Sequence, residues 1–215
     1  MEKPSLKYYI YVSNSKIDML YSQIPRTVRS QLEAEVKLNL RLLEVSFAKK
    51  QFDDSVYERL ATVLEFLKKN NEIGHLSAPK DFFTGTMYLD WAQIHPGVVY
   101  FGGIYNDIAL GLGGSMKYVL GYDLREVEKG ISHTPWLVSY LLEELDQRLL
   151  KPNLGHKMTA DEEENRIINS TNSWSADLSK RAIAKFEFVA KKMLFVGQNG
   201  KKVLLGTPIY VAEAF

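Results

Sequence analysis

The sequence predicts an α+β fold: a mainly antiparallel β-sheet of meanders and hairpins packed with about four helices, with the N- and C-terminal strands in the same sheet. Three observations predict it. Both ends of the chain carry aromatic and β-branched runs, Lys7–Ser13 (KYYIYVS) and Lys202–Ala212 (KVLLGTPIYVA). From Phe82 to Tyr122, short apolar runs follow one another at hairpin spacing, separated by glycine, proline and asparagine. Other segments place apolar residues every three or four positions, the period of a helix.

Taken in order, Lys7–Ser13 reads as a strand, and Asn14–Pro25 as a loop or short helix leaving its end. Thr27–Glu35 reads as helical. In Glu35–Ala48, Val36, Leu38, Leu40 and Leu42 alternate with Lys37, Asn39 and Arg41, the period of a half-buried strand, with a bulge at Leu42-Leu43 where the phase slips. Asp53–Asn70 changes period. Val56, Leu60, Val63, Leu64 and Leu67 form a helical face, Asp53 or Asp54 caps its start, and Lys68 and Lys69 complement the dipole at its end.

The meander comprises strands at Thr84–Gln93, Val98–Gly102, Ile108–Gly113 and Met116–Gly121, with turns at His95-Pro96-Gly97, Asn106-Asp107 and Gly114-Ser115. Leucines four apart (Leu137, Leu141, Leu145, Leu149) predict a helix over Thr134–Leu150, followed by a linker, Lys151–Met158. Thr159–Asn169 and Ala176–Leu194 complete the helices. Lys202–Ala212 closes the sheet, with Pro208 at an edge or a bulge. The chain carries no internal repeat, and residues 1–215 are expected to form one α+β domain.

Composition excludes several classes. There is no cysteine, hence no disulfide scaffold, thiolate metal site or cysteine nucleophile. Lys and Arg number 27 against 26 Asp and Glu, so no global charge favours a nucleic-acid duplex. No apolar window has the length of a signal peptide or a membrane span, and the cytoplasm is the expected location. His75, His95, His133 and His156 fit no zinc spacing, and no cofactor is expected.

Two stretches are polar where packing would not require it. Ser13, Ser15, Lys16 and Asp18 follow the first strand and together offer hydroxyls, an ammonium and a carboxylate to a polar ligand. Gly102-Gly103 and Gly111–Gly114 precede Ser115 and Lys117, and consecutive glycines either form turns or let a backbone approach a ligand. Neither the phosphate-loop ending Gly-Lys-Ser/Thr nor the dinucleotide spacing GxGxxG is present. Tyr100 and the other strand tyrosines are either sheet core or stacking platforms.

Four segments, Tyr8–Ser13 with Lys16 to Leu20, Val99–Gly103, Leu110–Ser115 and Leu204–Ala212, form a set. As a set, from Tyr8 to Ala212, the chain resembles an uncharacterised bacterial family known only as a domain of unknown function. That resemblance implies a sensing or regulatory module of prokaryotic conflict systems with caspase-like and repeat-containing partners. It brings no established catalytic residues. Near Lys117-Tyr118, where relatives place a histidine, this chain has none, which speaks against a histidine mechanism.

The expected function is a non-catalytic binding module for a small polar or phosphorylated molecule, such as a nucleotide signal, or for a partner protein. Duplex nucleic acid and membrane are not expected. Ser13, Ser15, Lys16, Asp18, Tyr100, Gly114, Ser115, Lys117 and Thr207 are the candidate ligand contacts. One alternative is a metal-independent phosphodiesterase or other hydrolase using Lys16, Ser115 and His95. A second is an interaction protein pairing through an edge strand at Lys202–Ala212.

Overall fold

The computed structural model describes residues 7–44, 56–95, 97–121, 160–198 and 201–214. The expected helix at Thr134–Leu150 and the linker Lys151–Met158 lie outside them. Within the described residues the fold is α+β, with four helices and seven strands. The chain divides into two compact units, Met1–Lys7 with Ser13–Ile73, and Tyr8–Val12 with Gly74–Phe215.

The first unit is helical. Helix α1 (Asn14–Gln23) ends because Ile24 must be extended ahead of Pro25 (φ −70°, ψ 125°). Helix α2 (Arg26–Glu44) follows at once, and α3 (Val56–Lys69) packs against both. Ile17, Ile24, Leu32, Val36, Leu60, Val63 and Leu67 are its buried apolar residues among those described. The strand and bulge expected over Glu35–Ala48 are replaced, as far as Glu44, by helix α2. Alternating leucines mimic a strand there, but Glu, Lys, Arg and Leu are all strong helix formers. The buried pair Leu32 and Val36 is spaced by four, and Glu35 and Lys37 reach Lys69 and Glu58 of α3 at 2.6 and 3.7 Å.

The second unit is a barrel. Strands β3 (Phe82–His95), β4 (Val98–Tyr105) and β5 (Ile108–Ser115) form an antiparallel meander. Helix α4 (Ala160–Arg181) precedes β6 (Ala184–Gln198) and β7 (Lys201–Glu213). β7 pairs with β5 in parallel and with β6 antiparallel, and β6 returns to β3, so five strands close a ring. Numbered within the ring, the order is 1-2-3-5-4-1, with one parallel pair between third and fifth and a helix between third and fourth. That is the topology of the oligonucleotide/oligosaccharide-binding barrel, a host of many functions. The first strand, β1 (Tyr8–Val12), pairs antiparallel with β7, placing both terminal strands in one sheet, and the short β2 (Ile73–His75) lies beside β3.

Because β7 is paired on both sides, Lys202–Ala212 offers no edge to another chain. Pro208 sits at a bulge opposite Ala190, between the last β5 pair (Leu112–Gly206) and the first β1 pair (Val12–Tyr210), where a missing N–H breaks no ladder. Two further expectations are corrected. Ala176–Leu194 is not one helix: α4 stops at Arg181, and Phe186, Phe188 and Ala190 then alternate into the barrel core as β6. Gly114-Ser115 is not a turn between two strands but the end of β5, and Met116–Tyr118 is a single 3-10 turn.

The barrel core holds Phe83, Met87, Leu89, Val99, Phe101, Leu110, Leu112, Phe186, Phe188 and Leu204. The other face of β4, β5 and β7 is covered by α4, whose Ile168, Trp174 and Leu178 pack with Tyr100, Ala109, Val203 and Leu205. Burial on both faces explains why these strands read as continuous apolar runs rather than alternating ones. Gly102 and Gly111 are cross-strand partners, and the Tyr100 ring lies over them beneath α4. A Cβ on Gly102 would fall 2.8 Å from Leu178 and 2.9 Å from the Tyr100 ring, and one on Gly111 would collide with the Tyr100 hydroxyl. Gly111→Ala is therefore expected to cost about 1–3 kcal/mol of unfolding free energy, read by urea denaturation. Among the described residues no helix is long and apolar enough to cross a membrane.

Candidate functional site

The candidate residues fall into two groups, one in each unit. The first stands at the start of α1. Ser13 is the N-cap residue and is buried, yet its side chain makes no capping hydrogen bond. Its Oγ instead lies 3.5 Å from Lys16 Nζ, one turn on. Burial alone pushes the Lys16 ammonium down to about 8, since leaving water penalises the charged form. The first-turn amides, those of Asn14 and Ser15 among them, have no acceptor within the helix, and no acidic side chain occupies that turn. Ser15 is exposed. Asp18 is exposed and forms an ion pair with Arg59 of α3, Oδ1 to Nε 3.1 Å.

The second group lies along β4, β5 and β7. Ser115 ends β5 opposite Val98, buried, and its Oγ has no hydrogen-bond partner among the described residues. Gly114 is half-buried, and a Cβ there would strike the Tyr11 hydroxyl. Tyr11 packs edge-on against Phe101 and Tyr118. Lys117 is exposed, with its ammonium 4.7 Å from the centre of the Tyr118 ring. Thr207 is buried in β7, in register with Lys191.

Tyr100 is fully buried. Its hydroxyl is 3.1 Å from Ser175 Oγ on α4, and Ser175 Oγ donates to the Leu110 carbonyl at 2.6 Å. Burial holds the Tyr100 hydroxyl well above its usual pKa, against a smaller opposing effect of the Ser175 hydrogen bond. A ring so enclosed has no face left for a ligand to stack on. The glycines beside it lie in strand interiors, so they are a shelf for an aromatic ring rather than a nest for an anion.

Reading by residue type finds Ser13 and Lys16 but passes over what joins them. The signal was their spacing, Ser13-x-x-Lys16 at a strand-to-helix junction, which puts the two side chains on one helix face. Tyr11 and Ser175 carried no such signal, because their partners are distant in sequence. Among the described residues no three His, Asp or Glu side chains converge as a metal site would require. A hollow of about 270 Å³ lined by His75, Leu76, Ser77, Thr84, Gly85, Thr86 and Tyr105 contains no lysine, arginine or carboxylate.

Residues 7–214 match the model of a family of unknown function, DUF7019. No curated protein and no solved structure matches the chain. The match spans nearly the whole sequence, and the chain belongs to this family.

Proposed function

We propose that this member of the family is a binding module for a small phosphorylated molecule, held at the first turn of α1. The observation that carries the reading is the half-buried Lys16 ammonium beside an uncapped helix start. Outward-pointing amides and the helix dipole favour an anion there. A phosphate would restore the charge that burial disfavours on Lys16, and the exposed Ser15 hydroxyl would donate to its oxygens. The hollow beside β3 has no lysine or arginine to offer an anionic ligand, which is why the helix start is preferred. Within the resemblance drawn from the sequence, such a module would sense a nucleotide signal in a bacterial defence-type system.

Titration calorimetry with inorganic phosphate, pyrophosphate and mono-, di- and cyclic nucleotides is the test. Saturable binding is expected for at least one. Lys16→Ala should weaken it at least about tenfold, roughly 1.4 kcal/mol, while Lys117→Ala should leave it unchanged. Absence of binding, or equal binding by the Lys16 variant, would refute the assignment.

A further inference from the structure

We propose that the hollow beside β3 is a separate binding site, one that takes a single uncharged sugar ring. It does not depend on the phosphate reading of the helix start.

The strand pairing explains why a hollow lies there. The β3–β4 ladder ends at Asp90–Gly102, although β3 begins at Phe82 and β4 runs on to Tyr105. Thr84, Gly85 and Thr86 of β3, Tyr105 at the end of β4, and the turn after β2 line the space this leaves. Barrels of this topology usually carry ligands on the second and third strands of the ring. Here that face lies under α4, so the hollow is a different place.

The turn after β2 is braced. The Ala78 N–H donates to the His75 carbonyl at 3.0 Å, and a Cβ on Gly74 would collide with the Ala78 carbonyl. Lys192 of β6 donates from its side chain to the Pro79 carbonyl at 3.3 Å and from its backbone to the Asp81 carbonyl at 2.8 Å. Backbone already in place loses little freedom on binding.

The lining selects the ligand class. It contains no lysine, arginine or carboxylate to pair with a phosphate or an ammonium. It contains no asparagine or glutamine either, the side chains that present a separate donor and acceptor to a base or a peptide group. It offers the hydroxyls of Ser77, Thr86 and Tyr105 and the imidazole of His75, all on exposed residues. Among the described residues none of these four side chains is engaged in a hydrogen bond. A hydroxyl both donates and accepts and turns to suit its partner, which matches the hydroxyls of a sugar. Thr84 donates to the Phe188 carbonyl at 2.8 Å and keeps its lone pairs for a further donor. Two apolar surfaces complete the lining: buried Leu76, packed on Gly85, and the Tyr105 ring, on a residue 38% exposed. A sugar ring has the same two characters, hydroxyls at its edge and C–H groups on its face. The volume, about 270 Å³, falls just below the roughly 300–1,000 Å³ of sites for drug-sized ligands, and so suits one ring rather than a chain.

Saturation-transfer NMR of the full chain with methyl α-glucopyranoside, methyl β-galactopyranoside and methyl β-ribofuranoside is the test, with glucose 6-phosphate as the charged control. Saturable transfer to at least one glycoside is expected, with a Kd of about 1 mM for so small a ligand. Tyr105→Ala should weaken it at least about fivefold, and so should Ser77→Ala combined with Thr86→Val. Both residues of that pair are exposed, so its urea midpoint should match the parent's, which separates lost binding from lost folding. Lys16→Ala should bind the glycoside as the parent does. No transfer to any glycoside, or undiminished transfer in either hollow variant, overturns the proposal. Loss in Lys16→Ala with retention in the hollow variants overturns it too, by moving the sugar to the helix start. Tighter binding of glucose 6-phosphate that is lost in the hollow variants overturns the uncharged class. Inorganic phosphate binding beside Lys16 is read separately, so the two proposals stand or fall apart.

Discussion

Tyr100→Ala is expected to destabilise the protein by about 3–5 kcal/mol, the range for deleting a fully buried aromatic ring. The ring fills the space between the Gly102–Gly111 pair and α4, and neither glycine has a side chain that could relax into the gap. Truncation would also remove a hydroxyl that meets Ser175, itself tied to the Leu110 carbonyl. Tyr100→Phe isolates the polar part. It keeps the ring and leaves Ser175 its carbonyl acceptor, so a loss of only about 1 kcal/mol is expected. Urea denaturation of the two variants, with Ser175→Ala and the double mutant, closes a cycle that separates packing from hydrogen bonding. A Tyr100→Ala protein as stable as the parent would mean that α4 does not seat on this ring.

The second large effect concerns Lys16 and pH. Its folded pKa of about 8 lies below the ordinary lysine value of 10.5. Below pH 8 the amine is charged in both states, and the folded state carries the whole desolvation cost. Between pH 8 and 10.5 the unfolded chain binds more proton than the folded one, so stability rises with pH. A full recovery of about 3 kcal/mol follows from the shift, and partial exposure of the side chain reduces this to about 1–3 kcal/mol. Tyr100 and Tyr210 act with the opposite sign. Burial raises both above the usual tyrosine value, with Glu187 adding to the effect at Tyr210, so their contribution is intact below pH 10 and is lost above it. Unfolding free energy should therefore climb from pH 8 and turn over near pH 10. Lys16→Met should be more stable than the parent at pH 7 and lack the climb, while keeping the alkaline fall. A flat parental profile between pH 8 and 10 would remove the buried-amine argument.

That cost bears on how much of the protein could be read from its residues. Where one period dominates, the reading holds. Leu60, Val63 and Leu67 define α3, and the apolar runs of β4, β5 and β7 define the barrel wall. It fails where two periods coexist. The leucines of α2 alternate as a strand would, and Phe186, Ala190 and Met193 of β6 keep helical spacing although Phe186 and Phe188 point the same way into the core. Neither conflict can be resolved locally, because partners far along the chain decide it. The candidate site divides in the same way. Ser13 and Lys16 interact within four residues, so their chemistry is visible in the string. Tyr100 looks like a stacking residue until a helix whose Ser175 lies 75 positions away covers it.

The last strand of the ring has a consequence for how the molecule is made. β7 receives β5 and β6 and also the very first strand, through pairs such as Tyr8–Glu213. During translation the meander β3–β5 can form early, since its partners are neighbours. The wall stays open, and β1 has no mate on β7, until the final stave has left the ribosome. Contacts between residues as distant in sequence as Tyr8 and Glu213 lower folding rates, so nascent chains carry an uncovered apolar interior until β7 is made.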